Sequence, residues 1–237
     1  MMPLYPVALL SGGLATRLRP MTEKTPKALL PIHGEPFICH QLRLLKRQGV
    51  TRVVLCIGFL GDMIVKAVGD GSLFGLDVQY VFDGPNLLGT AGALKKALPL
   101  LGEHFFVLYG DSYLPCDLLS IQKAYQHSQQ QALMTVYHNQ GAWDNSNVAF
   151  EKGIIRTYDK LNRSAAMQHI DYGLGVFNTR AFTAVPDNKP HDLAALYQLL
   201  LQQQQLAACE VSERFYEIGS TTGISEFTQY IKGEHVY

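Results

Sequence analysis

The chain has 237 residues, 47% hydrophobic and 17% charged, with twenty basic side chains balanced by twenty acidic ones. A chain of this length buries roughly 70–75% of its unfolded surface, so it needs no disulfide or metal to fold. Net neutrality argues against a general nucleic-acid surface, which would show a basic excess, but leaves room for a local basic pocket.

The first ten residues, MMPLYPVALL, lack a basic n-region and make a poor signal peptide. No run approaches the roughly 20 apolar residues of a membrane span, so a cytoplasmic protein without membrane contacts is expected. PVALL (6–10) is a short apolar run ending at glycines, as a buried strand would. It leads into LLSGGLATRLRP (9–20), where glycines let backbone N–H groups crowd toward a ligand and arginines suit phosphate oxygens. The loop is neither a P-loop nor a Rossmann fingerprint, since GxxxxGK[ST] and GxGxxG are both absent. Thr16, Arg17 and Arg19, with Lys27 on a proline-stiffened segment, nevertheless suit a polyphosphate.

Further along, PFICHQLRLLKRQG (36–49) spaces Ile38, Leu42 and Leu45 as one helical face, with Pro36 to start it and Gly49 to stop it. RVVLCIG (52–58) reads as a strand, FLGDMIVKAVGDG (59–71) as a helix, and DVQYVF (77–82) as a strand. GTAGALKKALPLL (89–101) reads as a helix and FFVLYGD (105–111) as a fourth strand. Strands alternating with helices imply a parallel sheet with helices on both faces, and ligands in such sheets bind at the strands' carboxyl ends. Both the glycine–arginine loop and Asp111 fall at such ends.

After Leu114 the texture becomes strand-rich with little helix: 132–138, 147–151, 154–160 and 170–177. Two helices close the chain, an amphipathic one over 192–205 with a solvated glutamine end, and one over 224–231. The expectation is an α/β fold, a mixed and mostly parallel sheet flanked by helices, with an α+β second half sharing the sheet. The four cysteines, Cys39, Cys56, Cys116 and Cys209, show no CxxC spacing, so reduced thiols are the simplest reading. Eight histidines form no HxxxH or HExxH pattern. Trp143 lies in a polar stretch (139–147) and reads equally as a lip over a pocket or as a core anchor.

The stretch LSGGLATRLRPMTEKTPKALLPIHGEPF resembles the signature of sugar-1-phosphate nucleotidyltransferases, the nucleoside-diphosphate-sugar pyrophosphorylases. The resemblance continues in family order at LGTAGAL (88–94), YGD (109–111), YDK (158–160), IDYGLGVF (170–177) and FYEIGS (215–220). It implies a Rossmann-like single domain over 1–237, with a nucleotide half (1–114) and a sugar-phosphate half (115–237). The implied reaction joins an NTP, GTP favoured, to a sugar 1-phosphate and releases pyrophosphate, with Mg²⁺ as cofactor. Uridylyl or cytidylyl transfer, and a nucleotide-sugar-binding regulator that lost the chemistry, remain alternatives. A glycosyltransferase is disfavoured because Asp111-Ser112-Tyr113 is not an Asp-x-Asp motif. The resemblance also implies a monofunctional enzyme without an appended acyltransferase domain, and leaves self-association open.

By that resemblance, Leu10, Ser11, Gly12, Gly13, Ala15 and Thr16 wrap the nucleotide, with Asp83, Gly89 and Thr90 toward base and ribose. Arg17 and Lys27 are the catalytic cations. Asp111 and Glu217 hold the metal, and Asn147, Asp159, Lys160, Asp171 and Gly173 line the sugar-phosphate pocket. Three positions depart from the family pattern. Glu217 stands where aspartate is usual, Asp159 where glutamate is frequent, and Ala15 where glycine is usual. If position 15 needs a positive φ, its alanine is strained.

Overall fold

Every strand and helix expected from the sequence forms, and the order in which they stack decides where their ends meet. The structure, a computed structural model, describes residues 2–143 and 145–234. It begins with Val7–Leu10 (β1), the loop that follows it, and a short hairpin of Pro31–Ile32 (β2) and Glu35–Pro36 (β3). Helix Phe37–Gln48 (α1) starts after Pro36 at φ −56° and stops at Gly49, whose φ of 96° lets its N–H reach the last-turn carbonyls. Ile38, Leu42 and Leu45 are all buried, as their spacing requires. Then come Arg52–Ile57 (β4), Gly61–Val68 (α2), Asp77–Phe82 (β5), Gly89–Leu101 (α3) and His104–Tyr109 (β6).

The second half runs Ser112–Tyr113 (β7), Leu118–Ser128 (α4), Ala132–His138 (β8), Val148–Glu151 (β9), Ile154–Tyr158 (β10) and His169–Asn178 (β11). Leu193–Gln202 (α5), Leu206–Val211 (β12), Tyr216–Glu217 (β13) and Thr221–Glu234 (α6) complete the chain. Four of these elements are absent from the sequence reading: the two-residue strands β7 and β13, helix α4 and strand β12. Helix α4 was hidden by its polar composition, yet Leu118, Ile121, Gln122 and Tyr125 are buried on one face, and Asp117 caps it by accepting the Leu119 N–H at 2.9 Å. Strand β12 was hidden behind the glutamine run and adds in parallel to β8.

One nine-stranded sheet carries the whole fold. Strands β5, β4, β1 and β6 are mutually parallel, and β11 joins antiparallel to β6. Antiparallel β8 and β9 both pair with the long β11, which makes the sheet mixed. Two large apolar clusters cover its faces. One is built on Leu9, Leu42, Leu55 and Phe106, the other on Ala8, Leu94, Val107 and Phe177. A third cluster joins Ile32, Phe37, Tyr113, Ile218 and Phe227, and so docks β13 and α6 beside β7. All four cysteines are free, and Cys39, Cys56 and Cys116 are buried. Among the described residues, no helix is long and apolar enough to cross a membrane.

Candidate functional site

In-register parallel strands bring three chain segments to one level. Leu10 pairs with Cys56 on one side and Tyr109 on the other, so the loops after β1, β4 and β6 leave the sheet together. The Ser11 N–H donates to the Cys56 carbonyl at 2.8 Å and the Gly110 N–H to the Leu10 carbonyl at 2.9 Å. Residue 110 must be glycine here, because a Cβ would stand 2.4 Å from the Leu10 carbonyl oxygen and from Ser11 Oγ.

Above this junction lies a cavity of about 220 Å³ lined by Leu10, Ser11, Gly12, Gly13, Ala15, Lys27, Asp83, Gly89, Thr90 and Asp111. Thr16 and Arg17 border an adjoining recess with Lys27 and Gly219. The Ser11 hydroxyl is buried without a hydrogen-bond partner, an arrangement that costs about 1–3 kcal/mol until something fills it. Asp83 is nearly buried and accepts the Leu88 N–H at 3.2 Å; burial pushes its carboxyl up, against the Leu88 N–H and Lys96. Gly89 needs its φ of 68° and its missing side chain, since a Cβ would meet the His191 carbonyl oxygen at 2.7 Å. Thr90 lines the cavity, but its hydroxyl is engaged elsewhere. It donates to Asp192 at 3.2 Å and accepts the Leu193 N–H at 2.7 Å, tying α3 to the start of α5.

Ala15 adopts φ 48° and ψ 43°, so the left-handed conformation is required and the alanine there is strained. The Thr22 hydroxyl holds its carbonyl at 2.8 Å, and the 3-10 turn Thr16–Leu18 that follows puts Arg17 on the open side.

Asp111 is set from two directions. Buried Gln41 of α1 donates to the carbonyls of Tyr109 (3.3 Å) and Ser112 (2.8 Å) on either side of it. Across the β7–β13 ladder Glu217 faces Ser112, and the Ile218 N–H donates to the Asp111 carbonyl at 3.0 Å. The Asp111 carboxylate pairs with Lys27 Nζ at 2.6 Å. Glu217, Arg17 and Asp111 all converge on Gly219, where a Cβ would lie 2.6, 3.7 and 3.8 Å from their respective polar atoms. The extra methylene of Glu217 lets its carboxylate curl toward the start of α6, where it accepts the Gly219 N–H and the Ser220 hydroxyl (2.6 Å). Among the described residues, no three His, Cys, Asp or Glu side chains gather as a metal cage. Two hard carboxylates, Asp111 and Glu217, close to the recess at Arg17 and Lys27 instead suit Mg²⁺, which takes few protein ligands and completes its shell with phosphate and water oxygens.

A second cavity of about 680 Å³ opens on the other side of Tyr109 and Asp111. Asn147, Lys160, Asp171, Gly173 and Glu217 line it, as do Arg17 and Trp143. The Asp171 side chain is buried; it accepts the Tyr158 hydroxyl at 3.1 Å and the Gly173 N–H at 3.1 Å, while the Asn147 side-chain oxygen accepts the Asp171 N–H at 2.9 Å. Lys160 Nζ stands 3.8 Å from Asp171. Asp159 stands apart from the other residues expected at this pocket. Its carboxylate accepts the Leu161 and Asn162 N–H groups at 2.7 and 2.9 Å and so caps its own exposed turn, outside the cavity lining. Those bonds lower its pKa. Trp143 is no core anchor: it is 43% exposed, with the Arg214 guanidinium 3.5 Å from its ring centre. Sequence reasoning missed Tyr109, Arg163, Arg214 and Glu226 in these linings. Tyr109 lies two residues before Asp111 and Arg214 one residue before FYEIGS, so adjacency to the motifs was the available signal.

A family model described as nucleotidyl transferase matches residues 7–232. The chain is 42% identical over 104 residues to an N-acetylmuramate alpha-1-phosphate uridylyltransferase of Neisseria meningitidis serogroup B, covering 44% of this chain and 45% of that protein. It is 26% identical over 237 residues to mannose-1-phosphate guanyltransferase beta-B of Xenopus laevis, covering 96% of this chain and 66% of that protein. The matches therefore span between about half and two thirds of these relatives' lengths. Among solved structures, HddC from Yersinia pseudotuberculosis complexed with GMP-PN aligns with a TM-score of 0.79 at 20% identity, over 96% of this chain and 100% of that one. At that identity the likeness is one of fold.

Proposed function

The chain belongs to the nucleotidyl transferase family, and from that membership we propose that it joins an NTP to a sugar 1-phosphate, giving an NDP-sugar and pyrophosphate. The observation that carries this reading is the pair of cavities that meet at Tyr109 and Asp111, one at the glycine loop and one around Lys160. The nucleotide lies in the first, its triphosphate along Gly12, Gly13, Ala15 and Thr16. The acceptor lies in the second, its phosphate on Lys160.

Its chemistry follows from charge. The acceptor phosphate oxygen is ionised near neutral pH, so it attacks the α-phosphorus in line without a strong general base. Catalysis is then positioning plus neutralisation. Arg17, free on the open side of the loop, opposes the charge of the departing pyrophosphate. Lys27, already held beside the junction by Asp111, faces the α-phosphate. Asp111, with Glu217 beside it, would hold Mg²⁺, which supplies further neutralisation of phosphate oxygens when bound. Glu217 already accepts two hydrogen bonds at the head of α6, so Asp111 is the principal ligand in this reading.

GTP is the donor we favour, from LGTAGAL and from the guanyltransferase that aligns along 96% of the chain. UTP is the second reading, favoured by the 42% identity to a uridylyltransferase. The test is Mg²⁺-dependent pyrophosphate release across four NTPs, crossed with mannose 1-phosphate, glucose 1-phosphate and N-acetylmuramate 1-phosphate. Release that requires one NTP and one acceptor together is expected. Silence across the panel with NTP binding intact by calorimetry would point to an acceptor outside the panel or to a binding protein, and activity switched on by Glu217→Asp would favour the second.

A further inference from the structure

Lys160 has an unusual setting for a phosphate-binding lysine. Its ammonium lies 5.4 Å from the Tyr109 ring centre and 5.9 Å from the Tyr158 ring centre. The carboxylate next to it, Asp171, is 3.8 Å away, against 2.6 Å in the Lys27–Asp111 pair. The reason for the longer separation is visible. Both Asp171 oxygens already accept a hydrogen bond, one from the Tyr158 hydroxyl and one from the Gly173 N–H. Burial, then the Asp171 charge, holds the Tyr158 hydroxyl far above its ordinary pKa, so it keeps its proton and donates.

Resting on the assignment of Lys160 to the acceptor phosphate, we propose that Tyr109 and Tyr158 are positioning residues that seat the Lys160 ammonium, with Asp171 tethering it without neutralising it. Aromatic faces attract a cation but take none of its N–H donors in strong hydrogen bonds. The ammonium is thus pre-placed while its charge and donors stay available. Lys160 is 42% exposed on the cavity side, as this requires. The seat itself is rigid. Tyr158 is buried, packs edge-on against Tyr197 with ring centres 5.8 Å apart, and accepts Gln198 through its carbonyl at 3.1 Å. Tyr109 packs against the backbone of Gly173, where a Cβ would stand 3.3 Å from its ring. Because Tyr109 also lines the nucleotide cavity, one ring sets the distance between Lys160 and the triphosphate loop.

The experiment measures KM for both substrates, by pyrophosphate release, with the acceptor that the wild type uses fastest. Tyr158→Phe keeps the ring but frees one Asp171 oxygen to close on Lys160. Tyr109→Leu removes the seat, and Tyr109→Phe restores it. Tyr158→Phe and Tyr109→Leu are each expected to raise the acceptor KM by about 5- to 30-fold, the effect of one such contact. In Tyr158→Phe, whose ring lies outside the nucleotide cavity, the NTP KM should stay within about twofold; Tyr109→Phe should recover most of the loss seen in Tyr109→Leu, since the ring and not the hydroxyl makes the contact. An unchanged acceptor KM in Tyr158→Phe, a parallel rise of both KM values in that variant, or a Tyr109→Phe variant as poor as Tyr109→Leu would overturn the proposal. Lys160→Ala separates the two failures. If it leaves the acceptor KM unaltered, the reading of Lys160 falls and the seat with it; if it impairs acceptor binding while the ring variants do not, only the seat falls.

Discussion

Ala15→Gly should make this protein more stable, against the general rule that glycine destabilises. At φ 48° and ψ 43°, an L-residue places its Cβ against the following carbonyl, which costs about 1–2 kcal/mol. Glycine removes that strain but gains freedom in the unfolded chain, which offsets about 0.4–1 kcal/mol. With mid-range values the net gain is about 0.8 kcal/mol. The native turn should persist, because the contacts that hold the Ala15 carbonyl, Thr22 Oγ1 at 2.8 Å and the Leu18 N–H at 3.1 Å, do not involve the methyl group. For a domain of this size the gain corresponds to a rise in Tm of about 1–4 °C. Urea unfolding followed by circular dichroism measures it as a higher midpoint at unchanged slope. A midpoint equal to or below wild type would refute the strain argument and mean that the methyl group makes a compensating contact.

Arg17→Ala should lower kcat by about 10²–10³ with both substrates saturating, the range for removal of one charge-stabilising group, and near-wild-type turnover would remove Arg17 from the mechanism. Asp83 tests the nucleotide cavity by pH. Burial raises its folded-state pKa above the unfolded value, so its favourable contribution is present at acid pH and lost as pH rises through the raised pKa. Asp83→Asn, whose amide oxygen still accepts the Leu88 N–H, should therefore exceed wild type in urea midpoint most at about pH 7–8, with the advantage shrinking toward about pH 4. A difference that is flat with pH would show that the carboxyl is not destabilised by burial.

The sequence alone determined the elements whose signals are local. Helix α1 is written in the spacing of Ile38, Leu42 and Leu45 between Pro36 and Gly49, and strand β1 in the apolar run 6–10. Ordered motifs likewise placed Gly12, Lys27, Asp111 and Lys160 in the linings of the two cavities. Helix α4 escaped because its buried face includes Gln122, whose polarity is satisfied by the distant backbone of Pro3 and Tyr5. What only the tertiary structure decided is how each polar group is employed. Asp159 and Thr90 carry the right chemistry at the right motif, but neighbouring N–H groups and the start of α5 claim their side chains. Glu217 is drawn toward the head of α6 by one additional methylene. Tyr109, given no role by the sequence, becomes with Asp111 a wall common to both cavities. The physical reason is that apolar periodicity reports which face of an element is buried. A hydrogen-bonding side chain instead takes its role from whichever partners the packed sheet brings within about 3 Å, and most of those are far away in sequence.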